Sequence, residues 1–232
     1  MPLRLGILGG TFDPVHLGHL RAAEEAMEFL GLDQICFVPV ALPPHKLEKN
    51  IVSFESRWRM LQLAINGNPR FCLSDMELRL PGKSYTVNSL KNFGKENPGT
   101  ELFFLVGYDA FFEMDTWYEY KKIFALADIV VLCRPECRQD EILEFATGKV
   151  SGLYEAVPGT GRIGHPELCS IYNLLNTRMD ISSTRIRELA AQRRSIRYLV
   201  PDSVWSYIAE NALYQKGSGG PVNFELARNG DG

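Results

Sequence analysis

The chain has 232 residues, 45% of them hydrophobic and 23% charged, an ordinary globular composition with enough apolar surface to fold without disulfide or metal staples. Its 25 basic and 28 acidic side chains leave a formal charge of −3, which excludes the broad basic field of a nucleic-acid-binding protein but not local donors for a small polyanion. Five scattered cysteines, Cys36, Cys72, Cys133, Cys137 and Cys169, lack zinc-ribbon or redox-pair spacing and read as reduced thiols. The N-terminal apolar run is too short for a signal peptide and no later stretch spans a membrane, so the expected compartment is the cytoplasm.

In chain order, residues 3–8 form a short apolar run ending at Gly9-Gly10, the pattern of a buried strand that stops at a loop. Leu17, Leu20, Ala23, Met27 and Leu30 recur at helical spacing, and Gly31 supplies the stop. A strand is predicted over 34–40, then the loop Pro43-Pro44-His45-Lys46, a helix capped by Ser53 and running to Ile65, a strand over 70–74, and a helix from near Ser84 toward Glu96. Residues 101–106 make a continuous apolar strand ending at Gly107-Tyr108-Asp109; Asp115 or Thr116 caps a predicted helix to Leu126, and 129–133 is another buried strand. A helix, a short strand and a loop follow, with no role assigned to residues 151–168. Asp180-Ile181-Ser182-Ser183-Thr184 then opens a helix to about Arg194, and Pro201 opens the last one, to about Asn211.

Solidly apolar strands interleaved with helices imply an α/β fold: a doubly wound, mainly parallel sheet of Rossmann-like type with helices on both faces. No repeat or second core is visible. One domain is expected over residues 1–214, with 215–232 a flexible tail around Gly-Ser-Gly-Gly-Pro. Ligands of such sheets lie beyond the carboxyl ends of the strands. The glycine segment, the loop after Val40, the loop after Val106 and Arg134 all fall there.

The first chemical motif is Gly9-Gly10-Thr11-Phe12-Asp13-Pro14-Val15-His16-Leu17-Gly18-His19. The two leading glycines allow a tight turn and close backbone approach to a phosphate. His16 and His19, three apart at a helix start, share a face; Gly18 between them leaves room for a flat base or a phosphate, and the helix N-terminus adds free N–H groups and its positive end. A plain strand-to-helix turn also carries such glycines. A metal would use the histidines, but no third ligand stands nearby. The second motif, Ser182-Ser183-Thr184 followed by Arg187, puts small hydroxyls, unpaired amides and a guanidinium at one helix end, a set suited to a triphosphate; an ordinary capped helix with a solvated arginine reads the same way by itself. Gly82-Lys83-Ser84 is not a P-loop, because the earlier glycine position holds Glu77.

The Gly-Gly-x-Phe-Asp-Pro-x-His-x-Gly-His string with Ile181-Ser182-Ser183-Thr184-Arg185-Ile186-Arg187 far downstream resembles the nucleotidylyltransferase superfamily, and within it the bacterial nicotinate-nucleotide adenylyltransferases of NAD synthesis. The resemblance runs from about Leu3 to Tyr214. It implies transfer of AMP from ATP to nicotinate mononucleotide, giving deamido-NAD and pyrophosphate. It implies that His16 and His19 meet the ATP phosphates, His19 the α-phosphate, and that Arg187 with Ser182, Ser183 and Thr184 takes the β,γ-phosphates; Gly9, Gly10, Thr11, Phe12 and Gly18 complete the ATP site. On the acceptor side it implies that amides of Thr86 and Tyr118 receive the nicotinate carboxylate, Trp117 stacks on the ring, Asp109 meets the ribose, and His45 and Lys46 meet the acceptor phosphate. Arg57 and Arg134 are supplementary phosphate candidates, though each by itself reads better as a surface or helix-pairing arginine. Mg²⁺ is expected, bridging phosphates mostly through water. The expected partners are the two substrates, with no nucleic acid and no membrane, and a homo-oligomer is compatible with the pattern. Rival readings are a superfamily transferase acting on nicotinamide mononucleotide, phosphopantetheine or glycerol phosphate, and a nucleotide-sensing module without turnover.

Overall fold

The structure is a computed structural model that describes residues 2–41, 51–80, 82–133 and 138–215. His45, Lys46, Arg134, Cys137 and the tail lie outside the described residues. The chain runs β1 (Arg4–Gly10), α1 (Leu17–Leu30), β2 (Gln34–Pro39), α2 (Phe54–Ile65), β3 (Phe71–Leu73), α3 (Met76–Arg79), α4 (Thr86–Glu96), β4 (Glu101–Gly107), α5 (Tyr108–Phe112), α6 (Tyr120–Ile123), β5 (Asp128–Cys133), α7 (Gln139–Phe145), β6 (Glu155–Val157), β7 (Arg162–Gly164), β8 (Ile171–Leu175), α8 (Ser183–Ala191) and α9 (Asp202–Glu210).

The described strands form one sheet in the order β3-β2-β1-β4-β5-β8-β7-β6. The pairs from β3 through β8 are parallel, and β6 and β7 add an antiparallel hairpin at the edge. Alternate residues of each central strand enter different cores. Ile7, Cys36, Phe104 and Val131 pack with Leu90 of α4, Phe111 of α5 and Ile142 of α7. Leu8, Phe37, Leu105 and Val130 pack with Met27 of α1, Leu61 of α2, Ile186 of α8 and Ile208 of α9. Burial on both faces is why these strands read as unbroken apolar runs. The expected doubly wound fold is the observed one.

Local signals hold where they rest on capping. Gly31 takes a left-handed φ of 60° and its N–H closes onto Met27, and Ser53 Oγ accepts from the Ser56 N–H at 3.2 Å. Two expectations need correction. The helix expected from Asp115 or Thr116 to Leu126 is broken: a 3₁₀ turn spans Met114–Thr116, Trp117 is extended, and Glu119 has φ 49° before the short α6. Lys91 at 3.2 Å and Lys122 both hold the Glu119 carboxylate, which ties down a backbone shape that costs a non-glycine residue energy. The segment with no assigned role contains the β6–β7 hairpin, which extends the sheet beyond β8 and buries Tyr154 and Ile163.

The chain leaves β1 for β2 and β3, then returns to β4 on the other side of β1. Ligand crevices form at such a reversal.

Candidate active site

The site begins where β1 ends. Gly9 and Gly10 are still strand residues, paired in register with Val38 and Pro39 of β2. The reversal is made further on, by Phe12 with φ 49° and a cis Asp13–Pro14 bond. At Gly10 the absent side chain also serves proximity: a Cβ there would stand 3.2 Å from the Phe12 ring. Phe12 thereby folds back under the start of α1, only 2% exposed.

His16 caps α1 and His19 follows one turn later. Their rings stack at 3.6 Å between centroids, and Phe12 meets His19 edge-on at 5.1 Å. The His16 N–H donates to His19 Nδ1 at 3.2 Å. In the neutral ring the proton then sits on Nε2, so His19 presents a donor. A Cβ on Gly18 would lie 3.1 Å from His16 Cε1 and Nδ1; glycine is what lets that ring lie flat on its neighbour. His16 Nδ1 is buried without a hydrogen-bond partner, a polar atom in want of a ligand or water.

Burial lowers His16 to about 4. Burial, then the charge of His16, holds His19 well below the usual histidine range. Both rings are neutral at pH 7. For a group depressed in the folded state, the stability present above its unfolded value is lost as pH falls toward its folded value. Unfolding in urea should become easier between pH 6.5 and about 4, by up to about 1.4 kcal/mol per pH unit for each histidine. His16→Gln should shallow that slope, and matched urea titrations across this range check it.

Beneath the histidines, two arginines fasten the loop. Arg57 of α2, 2% exposed, donates to the carbonyls of Thr11 and Val40, each at 2.8 Å, and of Val52 at 3.3 Å. Arg187 of α8 donates to the Asp13 carbonyl at 2.7 Å, and Ser183 Oγ donates to the Pro14 carbonyl at 2.9 Å. The start of α8 is thus held against the histidine loop. Ser182 Oγ accepts from the Arg185 N–H at 3.2 Å and keeps its own proton to give, whereas Ser183 has committed its proton to Pro14.

These elements enclose a cleft of about 620 Å³ lined by Leu8, His16, Gly18, His19, Asp109, Asn176, Ser182 and Ser183, among others, a volume in the range of small-molecule sites. It lies at the carboxyl ends of β1, β4 and β5, at the topological reversal. Thr86, Trp117 and Tyr118 do not line it. Trp117 packs against Phe104 at 6.3 Å and Tyr118 against Tyr85 at 4.7 Å, on the sheet face that Gly9 touches through Phe104. Thr86 opens α4, whose first N–H groups lack partners within the helix. The histidine cleft and the Thr86–Tyr118 region thus lie on different sides of the end of β1. Asp109 belongs to the half with the histidines. Tyr118 sits in a link rather than at a helix start.

Sequence reasoning overlooked the roles of Asp13 and Tyr214 and underrated Arg57. Asp13 is 2% exposed and takes a hydrogen bond from the Tyr214 hydroxyl at 2.8 Å. The visible signal was an acidic residue inside an otherwise apolar or glycine-rich turn.

Residues 7–189 match the cytidylyltransferase-like family. A probable nicotinate-nucleotide adenylyltransferase of Trichlorobacter lovleyi is 46% identical over 213 residues, which is 92% of this chain and 100% of the relative. That of Geobacter sulfurreducens is 43% identical over 91% of this chain and 98% of its own. Among solved structures, a Plasmodium falciparum nicotinic acid mononucleotide adenylyltransferase complexed with NaAD shares the fold with a TM-score of 0.71 at 19% identity, covering 91% of this chain and 97% of that one. With such identity sustained over nearly the full length of its relatives, the chain belongs to the nicotinate-nucleotide adenylyltransferase family of cytidylyltransferase-like proteins.

Proposed function

We propose that this cleft transfers AMP from ATP to nicotinate mononucleotide, giving deamido-NAD and pyrophosphate. The observation that carries the reading is the meeting of the His16–His19 pair with Ser182 and Ser183 of the α8 start at one cleft beyond β1, with Arg187 of the same helix held on the Asp13 carbonyl. The family's named activity supplies the acceptor. A phosphate oxygen of nicotinate mononucleotide attacks the α-phosphorus of ATP. The new P–O bond forms as the bond from the α-phosphorus to the bridging oxygen breaks, and pyrophosphate leaves with that electron pair. The nucleophile is already an anion, so the side chains need not take a proton from it. Their work is to align two mutually repelling anions and to stabilise charge on the departing group, contributions of up to ~7–11 kcal/mol for alignment alone.

His19 donates from Nε2 to a non-bridging oxygen of the α-phosphate, and His16 lies beside it against the same group. The first turn of α8 and Arg187 receive the β- and γ-phosphates. Asp109 accepts from a ribose hydroxyl. Among the described residues no group of three or more His, Cys, Asp or Glu side chains is placed to hold a metal ion, and Asp109 is the carboxylate on the cleft wall. That donor set suits Mg²⁺ carried on the nucleotide phosphates and its own waters, where it neutralises phosphate charge.

Thr86 at the start of α4 and the Tyr118 amide receive the carboxylate of the nicotinate, with Trp117 against the ring. A carboxamide turns its NH₂ toward those donors, which leaves donor facing donor. In a pyrophosphate-release assay with ATP, kcat/KM for nicotinate mononucleotide should exceed that for nicotinamide mononucleotide by at least about 100-fold. Equal values would overturn the acceptor assignment, and no release with either would overturn the reaction. Cys36, Cys72 and Cys169 are free thiols, and no helix among the described residues is long and apolar enough to cross a membrane. Free thiols are the form that a reducing cytoplasm, the compartment proposed here, maintains.

A further inference from the structure

The C-terminal end of the described chain touches the site at a single carboxylate. Tyr214 donates its hydroxyl hydrogen to Asp13 Oδ1 at 2.8 Å, across 201 positions of sequence. The same oxygen accepts from the Val52 N–H at 3.4 Å. Asp13 Oδ2 is buried with no hydrogen-bond partner and faces Arg187 Nη1 at 3.6 Å. Arg187 itself is held on two further points, the Asp13 carbonyl through Nη1 and Thr184 Oγ1 at 3.3 Å through Nη2. Its side chain remains 27% exposed.

The carboxylate is divided between two tasks. A carboxylate tied at neither oxygen turns freely about its last bond; tied at Oδ1 by the tyrosine and the Val52 amide, it must keep Oδ2 toward the guanidinium. Burial and the Asp13 charge push the Tyr214 hydroxyl far above its ordinary value, so it stays a donor. If Tyr214 served only to close the turn after α9, it would need no buried carboxylate. Its ring already packs with the apolar cluster around α9.

We propose that Tyr214 is a positioning residue for turnover: through Asp13 it fixes the angle at which Arg187 meets the leaving pyrophosphate. The inference rests on the Arg187 role given above.

The test is a double-mutant cycle on the full chain with Tyr214→Phe, Arg187→Ala and the double variant, measuring kcat, both KM values and the thermal midpoint. Assays are run below every midpoint. Tyr214→Phe should lower kcat about 10- to 100-fold, as expected for a misplaced catalytic group, with KM for nicotinate mononucleotide unchanged. In the Arg187→Ala background it should cause no further fall. Asp13→Asn, which still accepts from Tyr214 but presents no charge to Arg187, should show the same non-additive loss and serves if Tyr214→Phe folds poorly. Equal falls in both backgrounds, or an unchanged kcat in Tyr214→Phe while Arg187→Ala is crippled, would overturn this inference alone. Normal turnover by Arg187→Ala would overturn the Arg187 assignment and this inference together.

Discussion

Replacing His19 with alanine is expected to lower turnover by about 10²–10³-fold, the usual loss when one preorganised donor to a developing charge is removed. The geometry makes the ring hard to replace. Its Nδ1 is occupied by the His16 N–H at 3.2 Å, its faces and edges are set by His16 at 3.6 Å and Phe12 at 5.1 Å between centroids, and Nε2–H is the atom left to act. Water admitted to the gap would hydrogen-bond the phosphate but would have to reorganise at each turnover. The fold should survive, because His19 belongs to neither apolar core. Pyrophosphate release at saturating ATP and nicotinate mononucleotide, with a thermal melt beside it, gives both readouts. Turnover near that of the unaltered chain would remove His19 from the α-phosphate.

Arg57→Met carries the largest expected effect on stability, a loss of about 3–5 kcal/mol, as when one partner of a buried charged network is removed. Methionine fills much of the volume but leaves the carbonyls of Thr11, Val40 and Val52 without the donors they now share. It also removes a cation from the surroundings of the buried Asp13. That charge opposes the burial that lowers the Arg57 pKa. Arg57→Lys keeps the charge, yet one ammonium cannot reproduce a planar fork that bonds three carbonyls, so its loss should fall between the two. Urea unfolding of the three proteins at pH 7 measures the order. An Arg57→Met variant as stable as the parent would mean that the loop is held by its apolar contacts alone.

The His16–His19 pair was legible because its chemistry is local. Histidines three apart at a helix start share a face whatever the rest of the chain does. The Ser182 helix was legible for a similar reason, since its cap and its arginine lie within one turn of each other. Trp117 and Tyr118 were legible as residues but not as geometry. The helix expected around them is interrupted by Glu119 in a left-handed shape, held by Lys91 from α4, and no window of sequence near Trp117 contains that lysine. Gly9 and Gly10 were legible as the end of a strand, but the turn expected of them comes further on, at Phe12. The missing side chain of Gly10 admits the ring of Phe12, a requirement that the loop sets when it folds back on the strand.

By itself the sequence determined the parallel sheet, the helix ends at Gly31, Ser53 and Ser182 and the two motif strings at the cleft, because apolar periodicity and capping chemistry act over a few residues at a time. Tertiary structure alone decided what Asp13, Arg57 and Tyr214 do. An aspartate in a turn, an arginine in a helix and a tyrosine near the chain's end carry no mutual signal across 201 positions. They become one assembly because folding removes water from all three, and a buried carboxylate or guanidinium must then find partners among whatever groups the topology brings beside it.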